Sequence, residues 1–181
     1  NLTIEDYTRI GGFILNKDNS DTPVKVETLV VANGPISIYG GDILLEEDLT
    51  STLSGADMLV KGRGDVEAVA SRSFLTNNGD IVFWSNSDNS GVGSIKLGND
   101  NVLNSSNGRS GDTDSGGGKI TLGGGSGSGT SPTGYSSSSS APGIKLGTST
   151  SNHTQFYSGG GDISIKGCLL YTSDAADDIP G

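Results

Sequence analysis

The sequence contains one tripeptide with a well-defined binding chemistry, the Arg-Gly-Asp of Arg63 to Asp65. An exposed Arg-Gly-Asp loop can bridge the acidic pocket and the metal ion of an integrin. A structural interpretation competes with this one, because a Gly-Asp pair also precedes strand-like segments at Gly79 and Gly161. Since the tripeptide runs directly into such a segment, we interpret it as a turn followed by a strand, with Arg63 on a solvated surface.

Other carboxylates could in principle bind a cation or transfer a proton. Asp100, Asp112 and Asp114 offer the oxygen ligands that calcium prefers, but the repeated Gly-Gly-x-Gly-x-Asp frame of calcium-binding solenoids does not occur. The adjacent acids Glu46–Asp48 could form an acid/base group. A charged corner that discourages edge pairing explains them more simply. We therefore predict no metal site.

The remaining candidates for chemistry are single residues or short runs. The one histidine, His153, lies in a polar stretch, and no serine has a nucleophile-elbow pattern around it. The glycine-rich run at 123–129 lacks the Lys-Ser/Thr ending of a phosphate loop. Trp84 and Tyr39 could face outward and stack on sugars, although filling the interior of a wide coil is the commoner role of a large side chain. We predict no catalytic residue and no cofactor.

Composition limits the architectures that could hold these residues. The 181 residues include 30 glycines, and only 31% are hydrophobic and 6% aromatic, which favours thin rows of buried aliphatic side chains over a thick core. The net charge of −10, with 11 scattered basic residues, argues against nucleic acid as a partner. No apolar run approaches the length that spans a bilayer, so we predict no membrane insertion.

A short motif recurs along the chain: a glycine, one further residue, and then apolar residues in alternation. Each copy predicts a short strand whose two apolar side chains share one face. The copies begin at Gly34, Gly41, Gly64, Gly79, Gly93, Gly118 and Gly161, with relatives at Ala56 and Pro142.

The spacing of these strands indicates a solenoid. The steps are 22 and 23 residues from Ile36 through Met58 to Ile81, and 25, 24 and 19 from Ile95 through the isoleucines at 120, 144 and 163. A strand too short to bury its own face can stack on its counterpart one repeat later. We therefore predict an all-β fold, a parallel β-helix in which the aliphatic side chains of each series stack on one another in continuous internal rows.

Polar insertions separate the strands, and the longest is the Gly/Ser-rich stretch 124–143. In a solenoid such stretches loop out at corners, although this one could also be a flexible linker. An antiparallel sandwich is the alternative fold, since it too has short strands and many turns. A disordered chain is a third possibility, but it would leave the regular aliphatic pairs without a purpose.

The coils resemble those of large bacterial surface adhesins of the filamentous-haemagglutinin and autotransporter type. The resemblance lies in stretches such as GGDILLEEDLTSTLSGADMLVKGRGDVEAV and GGDISIKG, and it covers about residues 34–167. It implies a right-handed β-helical stalk that is secreted or displayed on the cell surface. Residues 1–33 are then a preceding coil or lead-in strands.

The last fourteen residues, 168–181, do not continue the pattern. CLLYTSDAADD, at 168–178, matches residue for residue the translation of a transposase-type sequencing adapter. We interpret 168–181 as an adapter-derived, non-native tail and exclude it from fold reasoning. The tail and the missing initiating Met together suggest an internal fragment of a longer environmental reading frame.

These observations predict a structural or adhesive segment of a secreted or surface-displayed bacterial protein, with a glycan or protein surface as its partner and no catalytic activity. A carbohydrate-active β-helix, a lyase or hydrolase, is the first alternative. Carboxylates clustered with Arg or Lys on one face of adjacent coils would favour it. A surface- or ice-binding solenoid is the second alternative, and it requires a regular outward row of Thr.

Overall fold

The computed structural model describes residues 2–4, 7–9, 11–18, 20–91, 93–107, 116–138, 142–147 and 153–169. All the regular elements in these residues are β-strands. The described part of the chain accordingly contains no helix with the length and apolarity needed to cross a bilayer.

The described strands form six successive coils, and each coil contributes three strands. Coil 1 contains β1 (Leu2–Ile4), β2 (Tyr7–Arg9) and β3 (Phe13–Leu15), and coil 2 contains β4 (Val24–Val26), β5 (Val30–Ala32) and β6 (Ile36–Gly40). Coil 3 contains β7 (Ile43–Leu45), β8 (Leu49–Ser54) and β9 (Met58–Gly62), and coil 4 contains β10 (Val66–Ala68), β11 (Ser73–Asn77) and β12 (Ile81–Ser85). Coil 5 contains β13 (Ile95–Leu97), β14 (Val102–Asn104) and β15 (Ile120–Ser128). Coil 6 contains β18 (Ile144–Leu146), β19 (Gln155–Tyr157) and β20 (Ile163–Ile165).

Three parallel sheets result, because the first, second and third strands of successive coils pair with one another. We call them sheets 1, 2 and 3 in that order. The predicted parallel β-helix is therefore confirmed. The antiparallel sandwich is wrong, since the one antiparallel pair among the described strands joins β15 to β16 (Ser131–Gly134), within an insertion.

The predicted stacking of the isoleucines at 95, 120, 144 and 163 is wrong. Ile95 pairs with Ile144 in sheet 1, whereas Ile120 pairs with Ile81 and Ile163 in sheet 3. The motif occurs twice in most coils, at the start of a sheet 1 strand and again at the start of a sheet 3 strand. The apparent steps near 24 residues in this half of the chain therefore alternate between two sheets.

The interior is a single continuous cluster in which side chains from equivalent positions of successive coils stack. One row of sheet 3 runs through Ile36, Met58, Ile81 and Ile120, all of them fully buried. Aromatic residues join these aliphatic rows. The rings of Phe74 and Phe83 meet edge to face with centroids 5.1 Å apart, an arrangement that adds to the stabilisation from burial.

The inward pairs of coil 6 are much less covered than those of coils 2 to 5. Ile163 and Ile165 are 47% and 45% exposed, whereas their partners in coil 5, Ile120 and Leu122, are fully buried. The sequence pattern is the same in both coils. The difference arises because no described strand stacks on the outer edge of β20.

The glycine that opens the motif has a packing explanation. A Cβ atom on Gly79 would meet the carbonyl oxygen of Ala56, one on Gly118 would meet that of Gly79, and one on Gly161 would meet that of Gly118. The corners of successive coils thus approach too closely for a side chain. This contact explains why glycine recurs at the position two residues before the inward aliphatic pair.

The aspartate at the second position of the motif, or of its relative at Ala56, forms hydrogen-bonded ladders along the axis. Oδ1 of Asp57 accepts the backbone N–H of Asp80 at 2.8 Å, and Oδ1 of Asp80 accepts that of Lys119 at 2.7 Å. At the corner before sheet 1, Asp42 and Asp65 repeat the arrangement, with Asp42 accepting from the amide of Asp65 at 2.9 Å. Each carboxylate therefore satisfies a corner amide of the next coil.

The Gly/Ser-rich insertion 124–143 lies between sheet 3 of coil 5 and sheet 1 of coil 6. Its described residues contain a hairpin of β15 and β16, followed by β17 (Ser136–Ser138). β17 pairs in parallel with β21 (Gly167–Leu169), so that Cys168 and Leu169, at the start of the tail, continue a strand. Residues 170–181 lie outside the described residues.

Candidate functional site

The Arg-Gly-Asp side chains are used in contacts between coils. The Arg63 Nε lies 2.9 Å from Asp21 Oδ1 and 3.2 Å from Asp88 Oδ2. Oδ1 of Asp65 accepts from the amide of Ser94 at 2.7 Å, and Oδ2 lies 2.6 Å from the Nζ of Lys96. This geometry agrees with the structural interpretation of the tripeptide, because a loop that binds an integrin must present both charges to its partner.

The Asp65 carboxyl is expected to make stability depend on pH in the acid range. Burial raises its pKa, but the hydrogen bonds from Lys96 and Ser94 outweigh that effect and lower the pKa overall. The stabilisation is complete above the unfolded-state pKa of about 3.9 and is lost as pH falls through the lower folded-state pKa. Asp65→Asn keeps the Oδ1 acceptor without the charge. The variant should be less stable than the parent at pH 7. The urea midpoints of the two proteins should converge as pH falls below about 4. A difference in midpoint that stays constant with pH would contradict the stabilising role of the Asp65 charge.

The other acids considered from the sequence are dispersed or engaged. Glu46 pairs with Lys25 at 3.1 Å, Glu47 pairs with Arg72 at 2.9 Å, and Asp48 accepts from the amide of Ser73. The run Glu46–Asp48 thus connects neighbouring coils. Within the described residues, no group of three or more His, Cys, Asp or Glu could hold a metal ion.

Two of the calcium candidates, Asp112 and Asp114, lie outside the described residues. Asp100 is in the described part of the chain, in a turn with a positive φ of 57°. His153 is exposed in the connection that leads to β19. The glycine-rich run 123–129 is the outgoing strand and turn of the hairpin.

Trp84 lies on the outer face of sheet 3, where it packs with Leu59 and Val82, and Tyr39 flanks this cluster. The prediction that it fills the coil interior is wrong. Neither is it an open stacking platform, since the hairpin covers the ring and leaves it 2% exposed. Its Nε1–H donates to the carbonyl of Gly125 at 2.9 Å.

The indole also determines which residues the hairpin can use. A Cβ atom on Gly127 would collide with the edge of the Trp84 ring, so glycine is required where the hairpin crosses the indole. On the other side, the Nζ of Lys61 lies 4.0 Å from the ring centroid, a cation–π distance. Burial lowers the pKa of Lys61. Trp84 therefore fixes the hairpin to the wall of the β-helix.

Replacing Trp84 with Phe should release the hairpin locally. Phenylalanine keeps one aromatic ring but lacks the indole N–H, so the hydrogen bond to the Gly125 carbonyl is lost. That loss alone costs about 1 kcal/mol, or roughly a fivefold increase in the open population. Chymotrypsin can report this change, because Tyr135, just after β16, is 60% exposed. We expect cleavage after Tyr135 to accelerate by that factor. Ser126→Ala, also in the hairpin, should leave the rate unchanged, and equal acceleration in both variants would contradict the role of Trp84.

A cleft of about 360 Å³ lies beside the hairpin on the same face of sheet 3. We call it the hairpin cleft. Its floor is a row of register partners on four adjacent strands, Ser37, Leu59, Val82 and Thr121. Along one side runs the corner row of Asp57, Asp80 and Lys119, and the hairpin contributes Thr130 and Ser131.

The charged side of the hairpin cleft combines structural and chemical roles. Asp57 and Asp80 each use Oδ1 to hold a backbone amide of the next coil, which leaves Oδ2 available to a bound molecule. Lys119 supplies an ammonium group in the same row, one coil further along. The cleft thus offers charged acceptors, a charged donor and hydroxyl groups around a small apolar floor.

Sequence reasoning did not identify this site. Asp57 and Asp80 were visible only as part of the Gly-Asp motif or its relative, and nothing near Thr130 indicated that the hairpin would fold back over sheet 3. The alternation of Leu59 with buried neighbours was the available signal, because it placed an aliphatic side chain on the outer face of a strand. An apolar outward residue in the middle of a strand indicates that something covers it.

Comparisons with known proteins give no relative. No family model matches the chain, and no curated protein and no solved structure gives a significant match.

Proposed function

We propose that this chain is a structural and adhesive segment of a large bacterial protein that is secreted or displayed on the cell surface. The observation that carries the proposal is the continuity of stacking along the axis. Buried rows and backbone ladders pass through successive coils, and the corner aspartates add hydrogen bonds in the same direction. Such an arrangement makes a stiff rod, as a spacer requires.

The adhesive part of the proposal is supported by the outer surface. The hairpin extends from β15 over the outer face of sheet 3, where it packs on Trp84 and forms the wall of a cleft. Beyond Gly124 it pairs with neither β12 nor β20, so this part, apart from the glycine that crosses Trp84, can vary in sequence without disturbing the stack. The rod supplies reach, and the surface beside the hairpin contacts the partner.

Bead adhesion tests this proposal. Beads that carry the folded chain should be retained on surfaces coated with polysaccharide or on cultured cells, more strongly than beads that carry the heat-denatured chain. Retention that equals that of albumin-coated beads, for a chain shown to be folded by circular dichroism, would contradict the adhesive function.

A carbohydrate-active enzyme is the second candidate, because Asp57, Asp80 and Lys119 line one cleft on adjacent coils. Carboxylates clustered with a lysine on one face of adjacent coils are the arrangement expected of such an enzyme. Against it, Oδ1 of each carboxylate already holds an amide. Incubation with neutral and uronic acid polysaccharides distinguishes the two functions, since a hydrolase creates reducing ends and a lyase creates an unsaturated uronate that absorbs in the ultraviolet.

The ice-binding alternative depends on the outward rows. The row in the middle of sheet 3 reads Ser37, Leu59, Val82, Thr121 and Ser164. It contains one threonine, and much of it lies in the hairpin cleft. This composition gives the alternative no support.

A further inference from the structure

We propose that the hairpin cleft binds a short neutral oligosaccharide, laid parallel to the axis of the β-helix. This inference rests on the adhesive function proposed above and assigns it a site and a class of ligand. It is carried by the shape of the cleft, by the pairing of the strands below it and by the chemistry of the side chains around it.

The cleft is elongated along the axis, as a site for a linear ligand must be. It crosses β6, β9, β12 and β15, four adjacent strands of sheet 3. Because neighbouring strands are about 4.8 Å apart, this distance is roughly 14 Å. This strand spacing is close to the length that one ring adds to an extended hexose chain. Successive rings can therefore meet equivalent positions on successive coils. A volume of about 360 Å³ falls within the range of small-molecule sites.

The pairing of the floor strands excludes recognition through the main chain. Each of β6, β9, β12 and β15 is bonded to a strand on both sides along the floor. An extended peptide that binds by strand addition needs an open edge, and this floor offers none. Recognition there must come from side chains, which favours a ligand rich in hydroxyl groups over a peptide.

The side chains match a neutral sugar in particular. A carboxylate accepts hydrogen bonds from sugar hydroxyls, an ammonium donates to them, and Thr or Ser can do both. Asp57 and Asp80 would repel an acidic sugar, as would the net charge of −10. Lys119 offsets one of the two negative charges in the cleft, so a neutral sugar needs no counter-charge there. Leu59 and Val82 are only 4% and 7% exposed, so they close the floor and leave contact with a sugar to the polar side chains around it.

The chain carries its own reporter of binding. Trp84 is the single tryptophan, and it packs directly against Leu59 and Val82 of the cleft floor. A sugar that settles on this floor should change the environment of the indole without displacing it. Tryptophan emission of the full 181-residue chain can therefore be titrated with cellotriose, maltotriose and the fully N-acetylated chitotriose, and with trigalacturonate and a short neutral peptide for comparison.

Three variants make the titration specific. Thr121→Phe fills the floor and should abolish the response. Asp80→Asn keeps the Oδ1 acceptor but removes the charge, and it should weaken binding about tenfold. Asp42→Asn is the matched control, since Asp42 has the same ladder role at the sheet 1 corner and lies outside the cleft. It should bind as the parent does.

Saturable binding of at least one neutral trisaccharide, lost in Thr121→Phe and retained in Asp42→Asn, would support the inference. Preference for trigalacturonate or for the peptide would overturn it, and so would a titration unaffected by Thr121→Phe. The inference and the proposed function can fail separately. If beads carrying Thr121→Phe still adhere like the parent, the adhesive function stands and this site is wrong.

Discussion

Replacing Phe83 with Ala is expected to lower the free energy of unfolding by about 4 kcal/mol. Phe83 is fully buried in coil 4, where it stacks between Val60 of coil 3 and Leu122 of coil 5 and meets the ring of Phe74. Truncation removes the transfer free energy of the ring and leaves a cavity that the paired strands on both sides prevent from collapsing.

Urea denaturation followed by far-ultraviolet circular dichroism measures this effect. Leu53→Ala is the control, because Leu53 is 48% exposed and should change stability by less than about 0.5 kcal/mol. Equal effects of the two substitutions would mean that Phe83 is not in a packed interior, and the stacked core would be wrong.

The second large effect is expected at the corner glycines. Gly118→Ala places a Cβ against the carbonyl of Gly79 in the coil below. The obstacle is backbone and cannot rotate away as a flexible side chain could. The coils must therefore separate at this corner, which strains the ladder from Asp80 to Lys119. We expect a loss of about 3 kcal/mol, at the upper end of the usual cost of overpacking.

A matched control exists in Gly91, where an added Cβ would find nothing within 4 Å. Gly91→Ala should leave the urea midpoint nearly unchanged, whereas Gly118→Ala should lower it strongly. If both variants unfolded together with the parent, close approach of the coils would not be the reason for the recurring glycine.

The sequence predicted the architecture because the motif reports two local requirements of a coil. Glycine marks the corner where coils meet, and the aliphatic pair after it marks the inward face, as Gly79 and Ile81 show. The structural interpretation of Arg63 to Asp65 followed from the same motif and agrees with the observed contacts.

The register could not be predicted, because the motif opens strands of both sheet 1 and sheet 3. In coils 2 to 4 the connections are short, so equivalent strands recur at nearly constant steps, as from Met58 to Ile81. Insertions lengthen the connections after β12, so the partner of Ile81 in the following coil is Ile120. The strands of sheet 2 lack the leading glycine altogether, so the motif does not predict β8 or β11.

The hairpin cleft was beyond sequence reasoning for a different reason. Its two walls come from segments far apart in the chain, and they meet because Trp84 bonds to Gly125. The pattern of a strand gives the face on which a side chain lies, but it does not say what covers that face. The alternation that begins at Ile81 places Trp84 on the outer face, but the sequence does not show what covers it there, and a large side chain without a cover is expected in the interior.

The most direct test of the fold is disulfide formation between outward positions in a Cys168→Ser background. The register places Lys96 beside Lys145, at the strand spacing of about 4.8 Å, which suits a disulfide. The even steps in the sequence would instead place Lys96 beside Thr121. We predict that Lys96→Cys with Lys145→Cys forms a disulfide rapidly under mild oxidation, and that Lys96→Cys with Thr121→Cys does not. Efficient bridging of the second pair, and not of the first, would contradict the three-sheet β-helix described above.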